Sequence, residues 1–518
     1  MKDLVYHRSL LPAAMRFADK AASIDGQFTA TYAQHVERVF RLASAMRTEL
    51  GVARDDRVAV MALNSHNYLE LYHAAFLGAG VINPLNLRLA PKELEFILQD
   101  SGTKVIFVDA FFAALIDSVR ANTAIEKVVL IGSGDVPHDA EYEALLTAGD
   151  NVTPSEPDES DAAVLMYTGG TTGLPKGVVI DHRAAVLDMY KIAAAWPFTN
   201  EYVYLHQTPM FHAASFGGIL TIPAVGGTTT YVPLFDPAGV LDIVEQQQVS
   251  TSVMVPTMIQ MMLDHPAFRP ERFASMKVLT YGASPMPTAL LTRLLGLFPT
   301  LDVMQGYGMT ENCGVLTCLG AAEHRLGGEL LKSAGLPVPG SMICIQDEDG
   351  EMLPPGEVGE VCARAGNFMS HYWNRPEETE KAFVGGWYHT GDAGKMDSRG
   401  YLYLVDRVKD MIVTGGENVY SSEVENALST HPAVAQVAVI GIPSEAWGEA
   451  VHALVIVKPG ATVEPEELRA WARDRIAGYK VPKSIEFRTD PFPLSGAMKV
   501  LKRELRAPYW AGKDRLVQ

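Results

Sequence analysis

Short apolar runs alternate with amphipathic helix patterns through most of the chain, and this alternation limits the possible folds more than any other feature. Residues 58–63, 104–109 and 127–131 have the composition of buried strands. Between residues 31 and 51, apolar side chains recur at helical spacing after a threonine suited to an N-cap and before a glycine. The same alternation resumes beyond residue 200. It predicts a layered α/β structure.

Two later changes of pattern predict how the chain is divided. After Gly340 the pattern changes to short β segments separated by turns, and from residue 406 a compact α+β unit follows. A chain of 518 residues is also too long for one core. We predict a large N-terminal domain over 1–405 with a small β subdomain, a hinge over 406–409 and a small C-terminal domain over 410–518. The acidic stretch 135–161 is interpreted as an irregular surface connection.

The charge balance and the cysteines exclude several classes of protein. The formal net charge of −18 disfavours non-specific binding to nucleic acid or anionic membranes, so an anionic ligand needs a local site rich in N–H donors. The four cysteines show no CxxC pair and no histidine at zinc-type spacing, and we expect them to be reduced and packed. No apolar run approaches the ~18 residues of a membrane span and no signal peptide is recognisable, so we expect a cytoplasmic protein.

Residues 167–177 read YTGGTTGLPKG and predict a polyphosphate-binding loop. Glycines let backbone N–H groups approach an anion, while threonine hydroxyls and a lysine add further donors. The loop is not a Walker A motif, because Lys176 follows a proline and precedes an apolar strand pattern. We therefore expect the loop to lie in a hairpin; the alternative is a flexible surface loop. The candidate phosphate-binding residues are Thr168, Gly169, Gly170, Thr171, Thr172, Gly173 and Lys176.

This segment resembles the phosphate-binding signature of the adenylate-forming superfamily. That superfamily contains acyl-CoA synthetases, aryl-CoA ligases, luciferases and the adenylation domains of peptide synthetases, and the resemblance is closest to bacterial acyl-CoA synthetases. Further motifs follow in the family order from about residue 31 to residue 505. The resemblance implies a mobile C-terminal domain, with ATP, Mg²⁺ and coenzyme A as cofactors or co-substrates.

The stretch 304–311, MQGYGMTE, is the second candidate nucleotide motif. Its glycines permit a tight turn around Tyr307, and Glu311 offers carboxylate oxygens to a hard cation. The resemblance implies that Tyr307 stacks on adenine, that Glu311 binds Mg²⁺, and that Asp392 and Arg407 contact the ribose. The alternatives are that Glu311 is an ordinary exposed glutamate, that residues 281–284 form a simple strand-to-helix turn, and that Asp392 and Arg407 only form surface ion pairs. The other residues implied at the nucleotide are Gly282, Ala283, Ser284, Gln305, Gly306, Gly308, Met309 and Thr310.

In the C-terminal domain, Lys499 matches the family lysine that reaches the α-phosphate and the carboxylate during adenylation. Met498 departs from the pattern, since the family usually has glycine directly before this lysine. The resemblance places Lys409 at the hinge. It places Gly415, Gly416, Glu417 and Trp447 on the coenzyme A side of the domain.

The stretch 209–218, PMFHAASFGG, bears on the substrate. By resemblance His212 lies at the mouth of the acyl pocket, and the absence of aspartate here disfavours an amino acid substrate. Small residues leave room for an apolar tail, with Phe216 and Met309 as expected walls. The small residues are Ala213, Ala214, Gly217 and Gly218.

These features together predict an AMP-forming carboxylate–CoA ligase acting on a medium-chain fatty acid or an aryl, cinnamate-like acid. The candidate catalytic residues are Lys499, His212, Thr168 and Glu311. Two alternatives stay open: an acyl-AMP ligase that loads a carrier protein, and a non-catalytic acyl- or nucleotide-binding homologue. The expected partners are small molecules, and a homodimer is possible.

Overall fold

The computed structural model describes residues 4–168, 175–407, 410–414, 417–444 and 446–511. Within these ranges the chain forms four β-sheets, three before residue 408 and one after it. The mixed α/β fold with a large N-terminal and a small C-terminal domain confirms the predicted fold class.

The N-terminal region contains the following elements in chain order. The strands are β1 Ala21–Asp25, β2 Phe28–Thr31, β3 Arg57–Met61, β4 Val81–Pro84, β5 Val105–Asp109, β6 Lys127–Ile131, β7 Ala140–Glu141, β8 Ala162–Thr168, β9 Lys176–Asp181, β10 Val203–His206, β11 Thr228–Tyr231, β12 Thr251–Met254, β13 Val278–Gly282, β14 Asp302–Tyr307, β15 Thr317–Leu319, β16 Leu336–Pro337, β17 Ser341–Gln346, β18 Gly359–Ala365, β19 His371–Tyr372, β20 Phe383–Val384, β21 Trp387–Met396 and β22 Leu402–Arg407. The helices are α1 His7–Arg16, α2 Tyr32–Thr48, α3 His66–Phe76, α4 Pro91–Ser101, α5 Ala110–Arg120, α6 Tyr142–Ala148, α7 His182–Ala195, α8 Ile222–Ala224, α9 Pro237–Gln246, α10 Pro256–Leu263, α11 Thr288–Leu297, α12 Ala321–Leu326 and α13 Pro376–Ala382.

Two large sheets with mostly parallel interiors form the layered part of the molecule. Their strand orders are β16-β15-β14-β13-β12-β10-β11-β1-β2 and β19-β9-β8-β4-β3-β5-β6-β7. Helices α2, α3 and α7 contribute to one continuous apolar core with strands of the second sheet. Residues 67–76 of α3 are all buried, as expected of a helix enclosed on every side.

A third sheet forms the predicted small β subdomain. Its strand order is β17-β18-β21-β20, and β22 pairs with β21. One face packs Val361, Ala363 and Leu402 against Tyr307. Strand β14, which contains part of the second candidate nucleotide motif, thereby contacts this subdomain through its last residue, Tyr307.

The C-terminal domain is an α+β unit, as predicted. Its sheet has the order β24-β23-β26-β25 with β27 on β26. Strand β22 continues to Arg407, so residues 406 and 407 belong to the backbone of the large domain. Residues 408–409 lie outside the described residues, and the position of the hinge stays a prediction. The elements are β23 Ile412–Thr414, β24 Glu417–Val419, α14 Ser421–Ser429, β25 Val434–Ser444, β26 Gly448–Val457, α15 Pro465–Arg473, β27 Ser484–Phe487 and α16 Lys502–Trp510.

The interpretation of residues 135–161 as an irregular connection was wrong. The stretch contains β7 and α6, and Tyr142, Leu145 and Leu146 of that helix are buried in the core. Their spacing is helical, but the surrounding acidic residues lower the apolar signal of the whole window. Elsewhere the described helices include none that is both long and apolar enough to cross a bilayer.

Candidate active site

The predicted phosphate loop joins two antiparallel strands. Strands β8 and β9 pair with Thr168 opposite Lys176, which confirms that the loop lies in a hairpin. The hairpin therefore holds one hydroxyl and one ammonium group at its two ends. Five of the predicted phosphate ligands lie outside the described residues: Gly169, Gly170, Thr171, Thr172 and Gly173.

Lys176 and Glu311 are linked through Tyr372. The Lys176 ammonium forms an ion pair with Glu378 and lies 5.4 Å from the centre of the Tyr372 ring. The Tyr372 hydroxyl donates to Glu311 Oε1 at 2.9 Å. The phosphate hairpin and the candidate metal ligand are thus parts of one network. Sequence reasoning missed Tyr372 and Glu378, because neither lies in a recognisable motif.

Strands β13 and β14 form a flat wall made of backbone. Gly282 lies opposite Gly306 in parallel register, and a Cβ atom on Gly282 would lie 2.3 Å from the Gly306 carbonyl oxygen. The following residue, Ala283, adopts φ of +65°. A left-handed alanine costs free energy, and such strain clusters at functional sites. The two strands can approach this closely only because Gly282 has no side chain.

Other predicted nucleotide residues lie around this wall. Gln305 Oε1 accepts a hydrogen bond from the Tyr281 hydroxyl at 3.1 Å. A Cβ atom on Gly308 would lie 2.1 Å from the Gly314 carbonyl oxygen, so the turn requires glycine at 308. Ser284, Met309 and Thr310 are partly exposed beside this turn.

The Tyr307 hydroxyl donates to Asp392 Oδ2 at 2.7 Å. Both residues are more than 90% buried. A hydrogen bond between them orients the carboxylate that was predicted to bind ribose, and it ties β14 to β21. Arg407 pairs with Asp392 through the strand backbone, but its side chain lies outside the described part of the chain.

A buried amide supports the segment that contains Glu311. Asn367 Nδ2 donates to Asp188 Oδ1 at 2.9 Å and to the Asn312 carbonyl oxygen at 2.8 Å. Burial raises the pKa of Asp188 to about 7. Cys313, next in the segment, adopts φ of +63°. This support connects positions far apart in the sequence, and no local pattern signals it.

Lys499 lies in a short hairpin that contacts the large domain. Residues Leu494 and Val500 pair at its base. Arg88 Nη1 donates to the Leu494 carbonyl oxygen at 2.9 Å. Thr257 Oγ1 donates to the Met498 carbonyl oxygen at 2.6 Å. These bonds join parts of the chain that are more than 240 residues apart, and they hold the hairpin against the large domain.

Two residues of this hairpin explain the local sequence. A Cβ atom on Gly496 would lie 2.1 Å from Asn86 Oδ1, so the contact with the large domain requires glycine there. Met498 adopts φ of +62°, a conformation that glycine, the usual family residue here, could adopt without strain. Its side chain is 9% exposed and packs in the core cluster of α10 and β13, with Sδ 3.7 Å from Arg88 Nη2. Burial of the methionine side chain offsets the backbone strain.

His212 lies close to Lys499. Its Nδ1 accepts a hydrogen bond from the Ala214 backbone N–H at 3.1 Å. Burial, together with a smaller effect of the Lys499 charge, lowers the pKa of His212 to about 3. The imidazole is therefore neutral near pH 7. A neutral ring can contact a carboxylate without forming an ion pair with it.

The residues after His212 correct part of the predicted acyl pocket. The space at Gly218 is filled, because a Cβ atom there would lie 2.3 Å from Tyr204 Cε1. Phe216 is buried in the core, edge-on to Tyr72 with ring centres 6.0 Å apart. Gly218 therefore does not leave the predicted room for an acyl tail, and Phe216 as a wall of the pocket stays a prediction. Residues Gly217–Thr221 form one turn of π-helix, a feature frequent at functional sites.

The predicted coenzyme A side of the small domain is exposed. Glu417 and Trp447 are both exposed, and Lys483 Nζ lies 5.4 Å from the Trp447 ring centre. Thr414 pairs with both Glu417 and Gly448, so the two turns are neighbours. The remaining predicted residues of this side and of the hinge, Gly415, Gly416 and Lys409, lie outside the described residues.

These residues fit a nucleotide and a divalent cation. The flat wall of Gly282 and Gly306 suits a base, and the oriented Asp392 carboxylate suits two hydroxyls. Lys176 at one side and Lys499 at the other suit phosphates, while Glu311 offers the oxygen ligands that Mg²⁺ prefers. Fold and site together define a two-domain, nucleotide-dependent enzyme.

The chain belongs to the AMP-binding enzyme family, the adenylate-forming superfamily. Residues 11–373 match the model of the AMP-binding enzyme, and residues 423–499 match the model of its C-terminal domain. The predicted resemblance is thereby confirmed, including the kinship with bacterial acyl-CoA ligases.

Characterised relatives align over almost the whole chain. A feruloyl-CoA synthase of Amycolatopsis sp. is 38% identical over 92% of this chain and 93% of its own. A fatty acid–[acyl-carrier-protein] ligase, ScoC of Streptomyces coeruleorubidus, is 35% identical over 94% and 93%. The long-chain fatty acid–CoA ligase FadD13 of Mycobacterium tuberculosis is 36% identical over 93% of each chain. Their shared class is an AMP-forming acid ligase.

Solved structures share the architecture. ATP-bound MatB from Rhodopseudomonas palustris superimposes with a TM-score of 0.88 at 27% identity, over 98% of this chain and 99% of its own. A fatty acyl CoA synthetase of Mycobacterium tuberculosis gives a TM-score of 0.77 at 32% identity, over 99% of each chain.

Proposed function

We propose that this chain is an ATP-dependent, AMP-forming carboxylate–CoA ligase for an apolar acid. In the first half-reaction, the carboxylate attacks the α-phosphate of ATP and pyrophosphate leaves. In the second, the thiol of coenzyme A attacks the acyl-adenylate, and AMP leaves. The observation that supports this most strongly is the Lys499 hairpin, which is held by Thr257 and Arg88 beside His212.

In the adenylation step, Lys499 stabilises the charge that develops at the α-phosphate and the acid. The phosphate hairpin, with Thr168 and Lys176 at its ends, holds the leaving pyrophosphate. Arrival of the phosphates draws Lys176 from its ion pair with Glu378. Mg²⁺ bound at Glu311 supplies Lewis-acid neutralisation of the phosphate oxygens. Tyr372 holds the Glu311 carboxylate in place for that role.

The nucleoside is held on the opposite side of the cleft. Asp392 accepts hydrogen bonds from the ribose hydroxyls, with its orientation fixed by Tyr307. The family resemblance assigns a further ribose contact to Arg407. Gly282 and Gly306 provide the flat surface against the base.

Thioester formation requires the small domain to turn about the hinge at Lys409. The Lys499 face contacts the large domain, whereas Glu417 and Trp447 are exposed; the two faces cannot occupy one cleft together, so one replaces the other. Withdrawal of Lys499 also opens the side of the adenylate that the thiol attacks. Because His212 is neutral, it can contact an oxygen of the substrate's carboxylate without repelling Lys499.

The substrate class is an aryl, cinnamate-like acid or a medium-chain fatty acid. The small, apolar residues Ala213 and Ala214 beside His212 favour an apolar tail, and no carboxylate in 209–218 is present to bind an amino group. The relatives include a feruloyl-CoA synthase and FadD8 of Mycobacterium tuberculosis, a medium/long-chain fatty acid–CoA ligase, which supports both acid classes. A carrier-protein thiol as acceptor is the second candidate, because ScoC is a relative of comparable identity.

The test is pyrophosphate release from MgATP across aryl, medium-chain and long-chain acids. Each acid is assayed alone, with coenzyme A and with a phosphopantetheinylated carrier protein. Turnover that requires coenzyme A and one acid class supports the proposal and names the pocket. Turnover only with the carrier establishes the second candidate, and no release with any acid contradicts both.

Cytoplasmic location and a homodimer are part of the same proposal. Small soluble substrates and the strongly negative charge support the first. The resemblance to the family supports the second.

A further inference from the structure

We infer that the small β subdomain contains a binding site for a soft or borderline divalent metal ion such as Zn²⁺, formed by Glu360, Cys362 and His389. Their ligand atoms all lie within 4.8 Å of one another. Among the described residues, no other group of three His, Cys, Asp or Glu side chains meets this condition. The site is separate from the predicted Mg²⁺ site at Glu311. It goes beyond the proposed ligase function and does not depend on it.

Sheet register assembles the site. Strand β18 lies between β17 and β21, and Cys362 is directly opposite Cys344 on one side and His389 on the other. Directly opposed residues of antiparallel strands point to the same face. Glu360, two residues before Cys362, shares that face because side chains alternate along a strand. A thiol, an imidazole and a carboxylate therefore converge on one side of the sheet.

The distances suit tetrahedral coordination. Cys362 Sγ lies 3.6 Å from His389 Nδ1. Zinc bonds to sulfur and nitrogen imply a ligand–ligand separation of about 3.5 Å at tetrahedral angles. His389 Nδ1 lies 2.8 Å from Glu360 Oε2, a hydrogen bond that must lengthen by roughly 0.5 Å to admit the ion. When the ion binds at Nδ1, the neutral imidazole carries its one proton on Nε2, so the ring changes tautomer and keeps its net charge.

The surroundings hold the ligands in place. Glu360 Oε1 accepts the Gly391 backbone N–H at 2.9 Å, which fixes the carboxylate. Arg364 is the next residue on this face. Its Nε donates to the Gly386 carbonyl oxygen, and its guanidinium lies over the Trp387 ring. Such outer contacts pre-orient metal ligands. The guanidinium therefore does not occupy the space between the three ligand atoms.

An ion can reach the cluster from solvent. Cys362 is fully buried, but the His389 and Glu360 side chains are 22% and 31% exposed. A thiol binds a metal ion as the thiolate, so metal binding releases its proton. Three protein ligands leave a fourth position for water.

Sequence reasoning dismissed a zinc site because no cysteine or histidine occurs at the usual short spacing. Cys362 lies on β18, and His389 lies on β21, 27 residues further along the chain. Only the pairing of these strands brings the ligands together. Short zinc-type spacings occur where the ligands lie in one loop or turn. Ligands on one face of a sheet come from separate strands and show no such spacing.

The experiment uses Co²⁺ as the probe on the full-length protein, stripped of metal and kept reduced so that Cys362 cannot pair with Cys344. ATP is omitted. We expect one equivalent of Co²⁺ to produce a thiolate-to-cobalt charge-transfer band, and Zn²⁺ to abolish it. A carboxylate site such as Glu311 cannot produce that band, because it has no sulfur ligand.

Variants decide which residues hold the ion. Cys362→Ser is expected to lose the band, and His389→Ala to weaken Co²⁺ affinity at least 10-fold. Glu360→Gln keeps the size and the hydrogen bonding of the side chain and tests the carboxylate with little risk to folding. The control, Cys318→Ser in the nine-stranded sheet, is expected to keep the band. No band in the parent protein, or a band that survives in Cys362→Ser and disappears in Cys318→Ser, overturns the site.

Discussion

At the scale of single residues, Lys499 is the side chain whose role can be tested most directly. Lys499→Ala is expected to slow acyl-adenylate formation by about 10²-fold, because it removes the positive charge at the reacting phosphate. Thioester formation from supplied acyl-adenylate is expected to be nearly unchanged, since the hairpin has then left the cleft. The two rates are measured separately in single-turnover assays.

The matched control is Lys502→Ala, three residues further on. Lys502 forms an ion pair with Glu425 inside the small domain at 2.7 Å, so its loss leaves the cleft intact. Equal loss of both half-reactions in Lys499→Ala would contradict the assigned role.

Met498 allows a second test, because backbone strain and side-chain burial act there in opposite directions. Met498→Ala removes the buried side chain and keeps the left-handed strain, whereas Met498→Gly removes both. Glycine adopts this conformation more easily than alanine by about 1 kcal/mol. We expect adenylation to be slower in both variants than in the parent, and about 5-fold faster in the glycine variant than in the alanine variant.

Pyrophosphate release under saturating substrates measures this order. Equal rates in the two variants would show that the hairpin does not require a left-handed residue at 498 during catalysis. A glycine variant faster than the parent would show that the methionine limits the step.

At the scale of elements, Asn367 and Asp188 stabilise the segment that presents Glu311. Asn367→Ala leaves the buried Asp188 carboxyl and the Asn312 carbonyl without this donor. We expect a loss of about 1–3 kcal/mol in the free energy of unfolding, the usual cost of an unsatisfied buried polar group. We also expect a higher KM for MgATP, because the segment holding Glu311 loses its support.

Chemical denaturation and kinetics with varied MgATP measure the two effects. Asn122→Ala, at an exposed site, is the control and should change neither. A destabilised variant with an unchanged KM for MgATP would show that Asn367 supports the fold alone.

The elements also show where sequence patterns sufficed. The hairpin around the phosphate loop was predicted because two apolar runs flank a loop with proline and glycine, and both strands lie there. Helix α6 was missed because it is short and buries few apolar side chains. The acidic residues around it lower the apolar signal of the whole stretch. The continuation of β22 through Arg407 was missed because pairing with β21, and not local composition, extends that strand.

At the scale of the whole molecule, buried titratable groups predict a loss of stability in acid. Burial lowers the pKa of His73 to about 4 and that of His182 and His206 to about 3, and it lowers the pKa of His35 as well. Between pH 6.5 and 4 these imidazoles stay neutral when folded and bind protons when unfolded. Unfolding then takes up protons, so stability falls as the pH falls.

Two carboxyls act in the opposite direction. Burial raises the pKa of Asp109 to about 6 and that of Asp188 to about 7, so near pH 5 both are protonated when folded and release protons on unfolding. His212, whose pKa burial also lowers to about 3, belongs with these imidazoles. The buried imidazoles thus outnumber the two carboxyls, and we expect the free energy of unfolding to fall as the pH falls through about 5.

Urea denaturation at about pH 7, 6 and 5 measures this slope. His206→Gln removes one of the imidazoles and is expected to reduce the slope by about 1.4 kcal/mol per pH unit. A stability that rises on acidification would contradict the sign of the prediction.

The sequence by itself determined the family, the layered α/β class and the two-domain division, and it supplied the candidate nucleotide motifs. These follow from features contained in short segments, such as glycines where backbone must approach a ligand or a neighbouring strand, and apolar residues at strand or helix spacing. Gly282, Tyr307 and Asp392 were recognisable for that reason.

Only the tertiary structure decided which distant side chains meet. The contact of Met498 with Thr257 and Arg88, the bond from Tyr372 to Glu311, and the convergence of Cys362 with His389 each join separate strands or separate domains. A local pattern contains no information on strand register or domain docking. These are set by how the sheets pair and how the domains pack, and they decide which side chains can act together.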